Sequence, residues 1–158
     1  MADLRQQLED SLRGRVCLMG LGNTDYSDDG LGVRMAEKLE SAGVPDVIVA
    51  GTMPERFIDG ATSEAFDHLI FLDAVEFGAA PGSAVFLDSE EMANRFPQIS
   101  THKISLGLMA KLVEDNGRTR AHLLGVQPES IRTGGELSSV ARDTIDLLCE
   151  LIIDIKKN

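Results

Sequence analysis

The chain has 158 residues, of which 43% are hydrophobic, and its formal net charge of -11 at pH 7 argues against nucleic acid as a partner, because phosphate binding needs a basic face. The length fits a single domain spanning residues 1–158 with a substantial core. We expect a cytoplasmic protein without a membrane partner, because no apolar run reaches the roughly 18 residues of a membrane span and the charged N-terminus lacks the apolar segment of a signal peptide.

Strands and helices are predicted to alternate along the chain. Short, nearly continuous apolar runs predict strands of a sheet covered on both faces, at residues 15–20, 46–50, 68–74, 83–88 and 120–126. Helices are predicted from Asp29 to Gly43, near 60–67, from an N-cap at Ser89, at 104–115, and from about residue 134 to the C-terminus.

This alternation predicts an α/β three-layer sandwich, with a twisted, mostly parallel five-stranded sheet and helices on both faces. One strand should be antiparallel, because the third and fourth strands are joined by a short turn with Gly78, Pro81 and Gly82. A parallel crossover needs a dozen or more residues, so these two strands are antiparallel if they are neighbours.

The inward faces of the helices follow from their apolar spacing. The first helix should bury Leu31, Met35, Leu39 and Ala42, and the helix at 104–115 should bury Ile104, Leu108 and Leu112. The terminal helix should bury Leu137, Ala141, Ile145, Leu148, Ile152 and Ile155. Cys17 and Cys149 lie in apolar elements and are expected to be buried, reduced thiols.

Residues 18–32, LMGLGNTDYSDDGLG, place glycines and three aspartates between the first strand and the first helix. A dinucleotide-binding turn has a glycine where this chain has Asp25, and the carboxylates would repel a pyrophosphate. A calcium loop needs a glutamate where this chain has Ala36. A structural role remains, in which Asp28 or Asp29 caps the helix and stabilises it by up to about 1 kcal/mol. One aspartate suffices for a cap, so three at the end of a strand also indicate a binding crevice.

Two other residues are candidates for the same crevice. Asp73 ends the third strand, and it should converge with Asp29 because the first and third strands of doubly wound sheets are often neighbours. His102 lies where a loop meets a predicted helix. Two carboxylates and an imidazole suit a divalent transition metal. The alternatives are that Asp73 caps a backbone N–H and that His102 is a surface residue. His68 and His122 belong to strands and are interpreted as structural.

Four segments in a fixed order resemble the hydrogenase maturation endopeptidases, which process the large subunit of nickel–iron hydrogenases. GLGNTDYSDDGLG resembles the family's G-x-G-N, four variable residues and D-[DE]-x-x-G; FLDAVEFGAAPG resembles a strand-end aspartate followed by a glycine-rich turn. STHKISL resembles [ST]-x-H before a helix, and LLGVQPESI resembles G-[IV]-Q-P after the last strand. By position, the resemblance assigns the family's catalytic, metal-contacting residues to Asp29, Asp73 and His102. MPE at residues 53–55 resembles a further family segment, which would bring Glu55 near the cleft.

The resemblance implies an endopeptidase that removes the C-terminal extension of a [NiFe] hydrogenase large-subunit precursor after nickel insertion. The sequence has no G-x-S-x-G and no HExxH, and neither cysteine lies at the predicted cleft, so a metal-dependent route remains. We hypothesise that Asp29, Asp73 and His102 engage a nickel ion supplied by the substrate, with a free carboxylate such as Asp28 as general base.

Three alternatives stay open. The metal is resident in the protein, as in an ordinary metalloprotease. The chain is a non-catalytic hydrogenase-assembly chaperone or metal-binding module of the same fold. A related peptidase of this fold acts on another precursor. The complete Asp/Asp/His set favours catalysis, since a binding module has no need of all three residues.

Overall fold

A computed structural model of the protein describes residues 3–96 and 105–158, and within them the chain forms a five-stranded sheet. The strands are β1 (Val16–Leu21), β2 (Val47–Gly51), β3 (His68–Ala74), β4 (Ala84–Asp88) and β5 (Arg120–Val126). Their order is β2-β1-β3-β5-β4. All neighbouring pairs are parallel except β4 and β5, which are antiparallel.

Helices cover both faces of the sheet. They are α1 (Leu4–Ser11), α2 (Leu31–Ser41), α3 (Glu55–Ser63), α4 (Ser89–Arg95), α5 (Leu106–Glu114) and α6 (Ser139–Lys157). Core residues of α3, α4 and α5 pack with one face of β1, including Cys17 and Met19. Core residues of α1, α2 and α6 pack with the other face, including Val16 and Leu18. Successive residues of β1 therefore pack into two separate hydrophobic cores, which explains why the strand is apolar along its whole length. Helices on both faces of the sheet confirm the predicted three-layer sandwich.

The predicted antiparallel strand is present, but the condition for its pairing with β3 is not met. β3 and β4 are not neighbours, because β5 inserts between them. β4 pairs with β5 instead, with Phe86 opposite Leu124. The short connection between β3 and β4 therefore leaves a space between these two strands in the sheet, and β5 occupies that space.

Several helix predictions need correction. The sequence interpretation missed α1, which is largely polar, and α3 starts at Glu55 rather than near residue 60. The N-cap of α4 is Asp88 rather than Ser89, since the Asp88 carboxylate accepts from the Glu91 N–H at 2.9 Å and Glu91 accepts from the Asp88 N–H in return. This reciprocal pair is a capping box, which satisfies two backbone donors at once.

The buried face of α5 also differs from the prediction. Leu108 and Leu112 are 48% and 41% exposed, whereas Leu106, Met109 and Val113 are buried. Ile104, the third member of the predicted stripe, lies outside the described residues. In α2, Leu31, Met35 and Leu39 are buried as predicted, and Ala42 is exposed beyond its end. In α6, four residues of the predicted inward face are buried, namely Ala141, Ile145, Leu148 and Ile152. Ile155 is half-buried, and Leu137 lies before the helix, which begins at Ser139 rather than near residue 134.

The carboxyl ends of β1 and β3 share one edge of the sheet. Gly20 of β1 lies beside Leu72 of β3, and Asp73 follows Leu72 directly. α2 starts at the same edge on one face of the sheet. This is the arrangement in which open α/β sheets form their binding crevice. Among the described residues, no helix combines the length and apolar character that crossing a bilayer requires.

Candidate active site

The turn after β1 holds Asp29 in place through the backbone. A 3₁₀ turn, Ser27–Gly30, joins β1 to α2 and contains Asp29. The N–H of Asn23 donates to Oδ2 of Asp29 at 3.0 Å. Gly22 has φ of 126°, and a side chain there would collide with the carbonyl oxygen of Asp29. Glycine is therefore required at Gly22 both by its conformation and by this close approach.

A second glycine lets the start of α2 approach the sheet. A β-carbon at Gly32 would overlap the carbonyl oxygens of Leu72 and Leu21. The helix therefore packs directly on the ends of β1 and β3, next to Asp73. The glycines and the parallel strand pairing together bring the chain segments of Asp29 and Asp73 to one place.

Asp29 and Asp73 line the same cleft, as expected if β1 and β3 are neighbours. The cleft has a volume of about 260 Å³, and its walls also include Val75, Pro128 and Ile131. Asp29 is 7% exposed and Asp73 is 3% exposed. Buried carboxylates are unusual unless they are hydrogen-bonded or bind a cation. Two of them in one cleft form a set of oxygen donors for a divalent metal.

Other carboxylates at the cleft are more solvated. Glu76 and Glu129 also line it, and both are exposed. The cleft is therefore acidic as a whole and attracts cations. Within residues 3–96 and 105–158, no three His, Cys, Asp or Glu side chains are grouped closely enough to hold a metal ion. His102, the third predicted ligand, lies outside the described residues.

Asp28 is fully engaged, so the hypothesis that it is a free carboxylate is wrong. It is 0% exposed. Its Oδ2 accepts from the Glu129 N–H at 2.9 Å, from the Ser130 N–H at 3.4 Å and from the Ser138 hydroxyl at 2.7 Å, and its Oδ1 accepts from the Ser138 N–H at 2.8 Å. A carboxylate with four donors is a structural anchor, because further proton transfer would disrupt bonds that its burial makes necessary.

The anchor fixes one wall of the cleft. Residues 129–138 run alongside the aspartate turn, and the Asp28 N–H donates to the Ser130 carbonyl at 3.0 Å while the Gly134 N–H donates to the Asp25 carbonyl at 2.8 Å. Asp28 therefore faces this loop, and Asp29, the next residue, faces the cleft. The sequence gives no sign of this, since the partners of Asp28 lie about a hundred residues away.

Gln127 is a second positioning residue that the sequence interpretation did not single out. Its Oε1 accepts from the Phe77 N–H at 2.9 Å and from the Ala79 N–H at 3.3 Å. The residue is buried, and it ties the turn that follows Asp73 to the end of β5. A glutamine directly after a strand, in the Gln-Pro pair of LLGVQPESI, was the available signal.

His68 and His122 lie away from the cleft, as expected of structural histidines. Nδ1 of His68 and Nε2 of His122 are 3.0 Å apart, and the His122 ring stacks on Phe86 with centroids 5.2 Å apart. Burial, followed by the neighbouring His68, lowers the pKa of His122 to about 4, and burial also lowers the pKa of His68. Both rings are therefore neutral near pH 7 and satisfy each other.

The two cysteines are free and buried, as predicted. Burial raises the pKa of Cys17 to about 12 and that of Cys149 to about 11. Both are therefore thiols rather than thiolates near pH 7, and neither lines the cleft. Thiolate nucleophiles need the opposite environment, so cysteine catalysis has no support in this fold.

The fold and cleft define an α/β protein with an acidic crevice at the switch point of its sheet. A family model described as "Hydrogenase maturation protease" matches residues 33–155. This range contains Asp73 and His102, and Asp29 lies just before it. The chain belongs to the hydrogenase maturation protease family.

Individual relatives agree with this assignment. The chain is 30% identical over 153 residues to the hydrogenase expression/formation protein HupD of Bradyrhizobium diazoefficiens, with 89% of this chain and 79% of the relative covered. It is 30% identical over 132 residues to the hydrogenase 3 maturation protease of Escherichia coli K12, covering 82% and 83%.

Solved structures extend the likeness to the fold. The [NiFe] hydrogenase maturation protease HycI from Thermococcus kodakarensis superposes with a TM-score of 0.84 at 31% identity, covering 96% of this chain and 99% of that one. The hydrogenase maturating endopeptidase HybD from E. coli gives a TM-score of 0.76 at 26% identity, covering 90% and 92%. These alignments extend beyond the range of the family model, over almost the whole chain.

Proposed function

We propose that this protein is a cytoplasmic endopeptidase that removes the C-terminal extension of a [NiFe] hydrogenase large-subunit precursor after nickel insertion. Family membership supports the class of reaction and substrate. The observation that carries the site is the presence of two buried carboxylates, Asp29 and Asp73, in one cleft at the carboxyl ends of β1 and β3. Neither cysteine lies among the cleft residues, so a metal-dependent route fits the cleft best.

The nickel in this proposal belongs to the substrate. Asp29 and Asp73 offer carboxylate oxygens to the nickel ion that the precursor already holds through its thiolates, and His102 offers an imidazole nitrogen. The nickel then either polarises the scissile carbonyl or lowers the pKa of the attacking water. Water adds to the carbonyl carbon, the C–N bond breaks, and the water's protons go to the departing amine and to solvent. Cleavage waits for nickel because, without it, Asp29, Asp73 and His102 have no metal ion on the precursor to engage.

The chain's other residues prepare this arrangement. Asn23 orients the Asp29 carboxylate through its N–H, and Asp28 and Gln127 hold the two walls of the cleft. Such fixed positions matter, because a misplaced catalytic group loses much of the advantage of proximity. The alternative is a metal ion that is resident in the protein. In that case, protein stripped of metal by a chelator would lose activity on nickel-loaded precursor and regain it when the metal is restored.

Alanine substitution tests the ligand set. Asp29→Ala should bind a nickel-loaded precursor yet leave its C-terminal peptide attached, as read from the intact mass, and His102→Ala should do the same. Leu147→Ala, at an exposed position of α6 far along the chain, serves as a matched control that should process normally. Normal processing by Asp29→Ala would refute the assignment.

A further inference from the structure

Ile131 is a large apolar side chain exposed in the wall of the cleft, and the proposed mechanism gives it no task. Its exposed fraction is 55%, although isoleucine is among the residues most often buried in proteins. Single exposed apolar residues on an open surface are common and need no explanation. Ile131 differs from them because it lines a concave site that also contains the Asp29 and Asp73 carboxylates.

Ile131 is an exposed part of a larger apolar surface within the cleft. Val75, Phe96 and Leu106 line the same cleft and are buried. Pro128, which is half-buried, lines it as well. An apolar side chain that enters the cleft therefore exchanges water for contact with Ile131 and its apolar neighbours, and this transfer out of water is favourable.

The backbone on both sides of Ile131 is fixed by hydrogen bonds. The Ser130 carbonyl, directly before Ile131, accepts from the Asp28 N–H at 3.0 Å, and the Ser130 N–H donates to Oδ2 of Asp28 at 3.4 Å. The Arg132 N–H, directly after Ile131, donates to Oγ of Ser130 at 3.3 Å. This part of the wall therefore needs little ordering when a partner binds, and such preorganisation favours affinity.

Charge and volume limit what can lie against Ile131. Glu129, two residues earlier, and Glu76 line the same cleft, and both are exposed. They repel a carboxylate placed beside them, whereas an uncharged side chain is not repelled. The cleft volume of about 260 Å³ lies below the range of roughly 300–1,000 Å³ that is typical of small-molecule sites. It therefore suits one or two side chains of an extended peptide segment.

We propose that Ile131 determines substrate specificity: it binds an apolar side chain of the precursor in the segment that contains the scissile bond. The proposal rests on the proposed function, which places that segment in the cleft with Asp29 and Asp73. The occupant is this segment because the apolar surface and the two carboxylates line one continuous cleft. An apolar contact of this kind discriminates between substrates by about 10- to 200-fold.

Ile131→Gln tests the proposal, because glutamine has a similar volume and is polar. The dissociation constant for nickel-loaded precursor should rise by about tenfold. The cleavage rate at saturating precursor should change much less, because a contact made equally before and during the reaction lowers KM without raising kcat. The thermal unfolding midpoint should stay unchanged, since the residue is exposed.

Two further variants serve as controls for the loss of affinity. Ile131→Leu keeps the apolar character and the volume, so it should retain the affinity of the wild type. Leu147→Gln makes the same kind of replacement at an exposed position of α6 outside the cleft, so it should leave the affinity unchanged.

Variants of the precursor identify the side chain that Ile131 contacts. Each apolar residue near the cleavage site is replaced by glutamine, and its dissociation constant is measured with the wild type and with Ile131→Gln. One replacement should weaken binding to the wild type but add little to the loss in Ile131→Gln, because both changes remove the same contact. Wild-type affinity in Ile131→Gln, additive losses for every precursor residue, or affinity lost only together with a lower unfolding midpoint would overturn the inference.

A second copy of this chain is the other possible occupant, and sedimentation distinguishes it. If Ile131→Gln binds the precursor normally but abolishes self-association of the wild type, the residue is a contact between copies and the inference fails. If the wild type neither binds nor cuts the precursor, the proposed function fails and the inference fails with it. If the wild type cuts the precursor and Ile131→Gln matches it in affinity, the inference alone fails.

Discussion

The ionisable groups at the two edges of the sheet have different surroundings. At the amino edge, His68 and His122 bond to each other, Arg15 pairs with Glu64 at 2.7 Å, and Arg118 pairs with Asp67 at 3.2 Å. At the carboxyl edge, the buried carboxylates of Asp29 and Asp73 line a cleft. Ionisable groups that satisfy each other within the fold are structural, and those that face a cleft at the switch point are candidates for chemistry. Substitutions at each edge test whether its ionisable groups are structural or functional.

The largest effect is expected at Asp73. Asp73→Asn preserves the shape of the side chain and removes its charge, so engagement of the substrate's nickel should weaken and cleavage should slow on the order of a thousandfold. Single-turnover cleavage of nickel-loaded precursor measures this. Circular dichroism melting provides the control, because an unfolded variant would mimic the loss. A cleavage rate within tenfold of wild type would assign Asp73 to the structural class.

Substitution of Asp28 should lower the stability of the fold more than substitution of Asp25 in the same turn does. Asp28→Ala leaves several partly buried N–H and O–H donors without an acceptor, which should lower the free energy of unfolding by about 3 kcal/mol. Urea denaturation measures the change, and Asp25→Ala, an exposed residue of the same turn, is the control. A loss below about 1 kcal/mol would show that the loop 129–138 is held by its backbone bonds alone.

His122 should make the protein sensitive to acid. Its pKa of about 4 in the folded protein is below the ordinary value of 6.5, so the unfolded chain takes up the proton first. This stabilisation is complete above pH 6.5 and is lost as the pH falls towards 4, by up to roughly 3 kcal/mol. Unfolding free energies of wild type and His122→Gln should therefore converge on acidification. A constant difference between them over this range would contradict the burial of a neutral ring.

The smallest effect is expected from the ion pairs at the amino edge. Arg118 and Asp67 are both exposed, and pairs of this kind are screened by water and salt. Arg118→Gln should produce no measurable change in the urea midpoint or in precursor cleavage. A clear loss of either would mean that the amino edge has a role beyond structure.

The sequence predicted the strands well where burial on both faces of the sheet produces short, uninterrupted apolar runs. The bounds of β3 and β5 were correct, because parallel strands covered by helices read as short apolar runs. α5 was harder, since it carries apolar residues on nearly every side and only packing against α3 and α4 decides that Met109 is buried and Leu108 is not. α1 is mostly polar, and its short apolar stripe, Leu4, Leu8 and Leu12 at a spacing of four, was overlooked.

The candidate site was partly predictable for a similar reason. Asp29 follows β1 and Asp73 lies near the end of β3, its parallel neighbour, so the strand order brings their chain segments to one edge of the sheet. The opposite orientation of Asp28 depends on hydrogen bonds to a distant loop, which no local pattern encodes. Glu55 was named only through the resemblance of MPE to a family segment, because the start of α3 was placed five residues too late, beyond the residue itself.

A comparison of two forms of one substrate tests whether the nickel belongs to the precursor. Wild-type protein is mixed with nickel-loaded and with nickel-free large-subunit precursor, and the intact mass of each product is read. We expect the loss of a C-terminal peptide from the nickel-loaded form alone. Equal cleavage of both forms would contradict the substrate-borne nickel, and binding without cleavage of either would favour a chaperone or a different precursor.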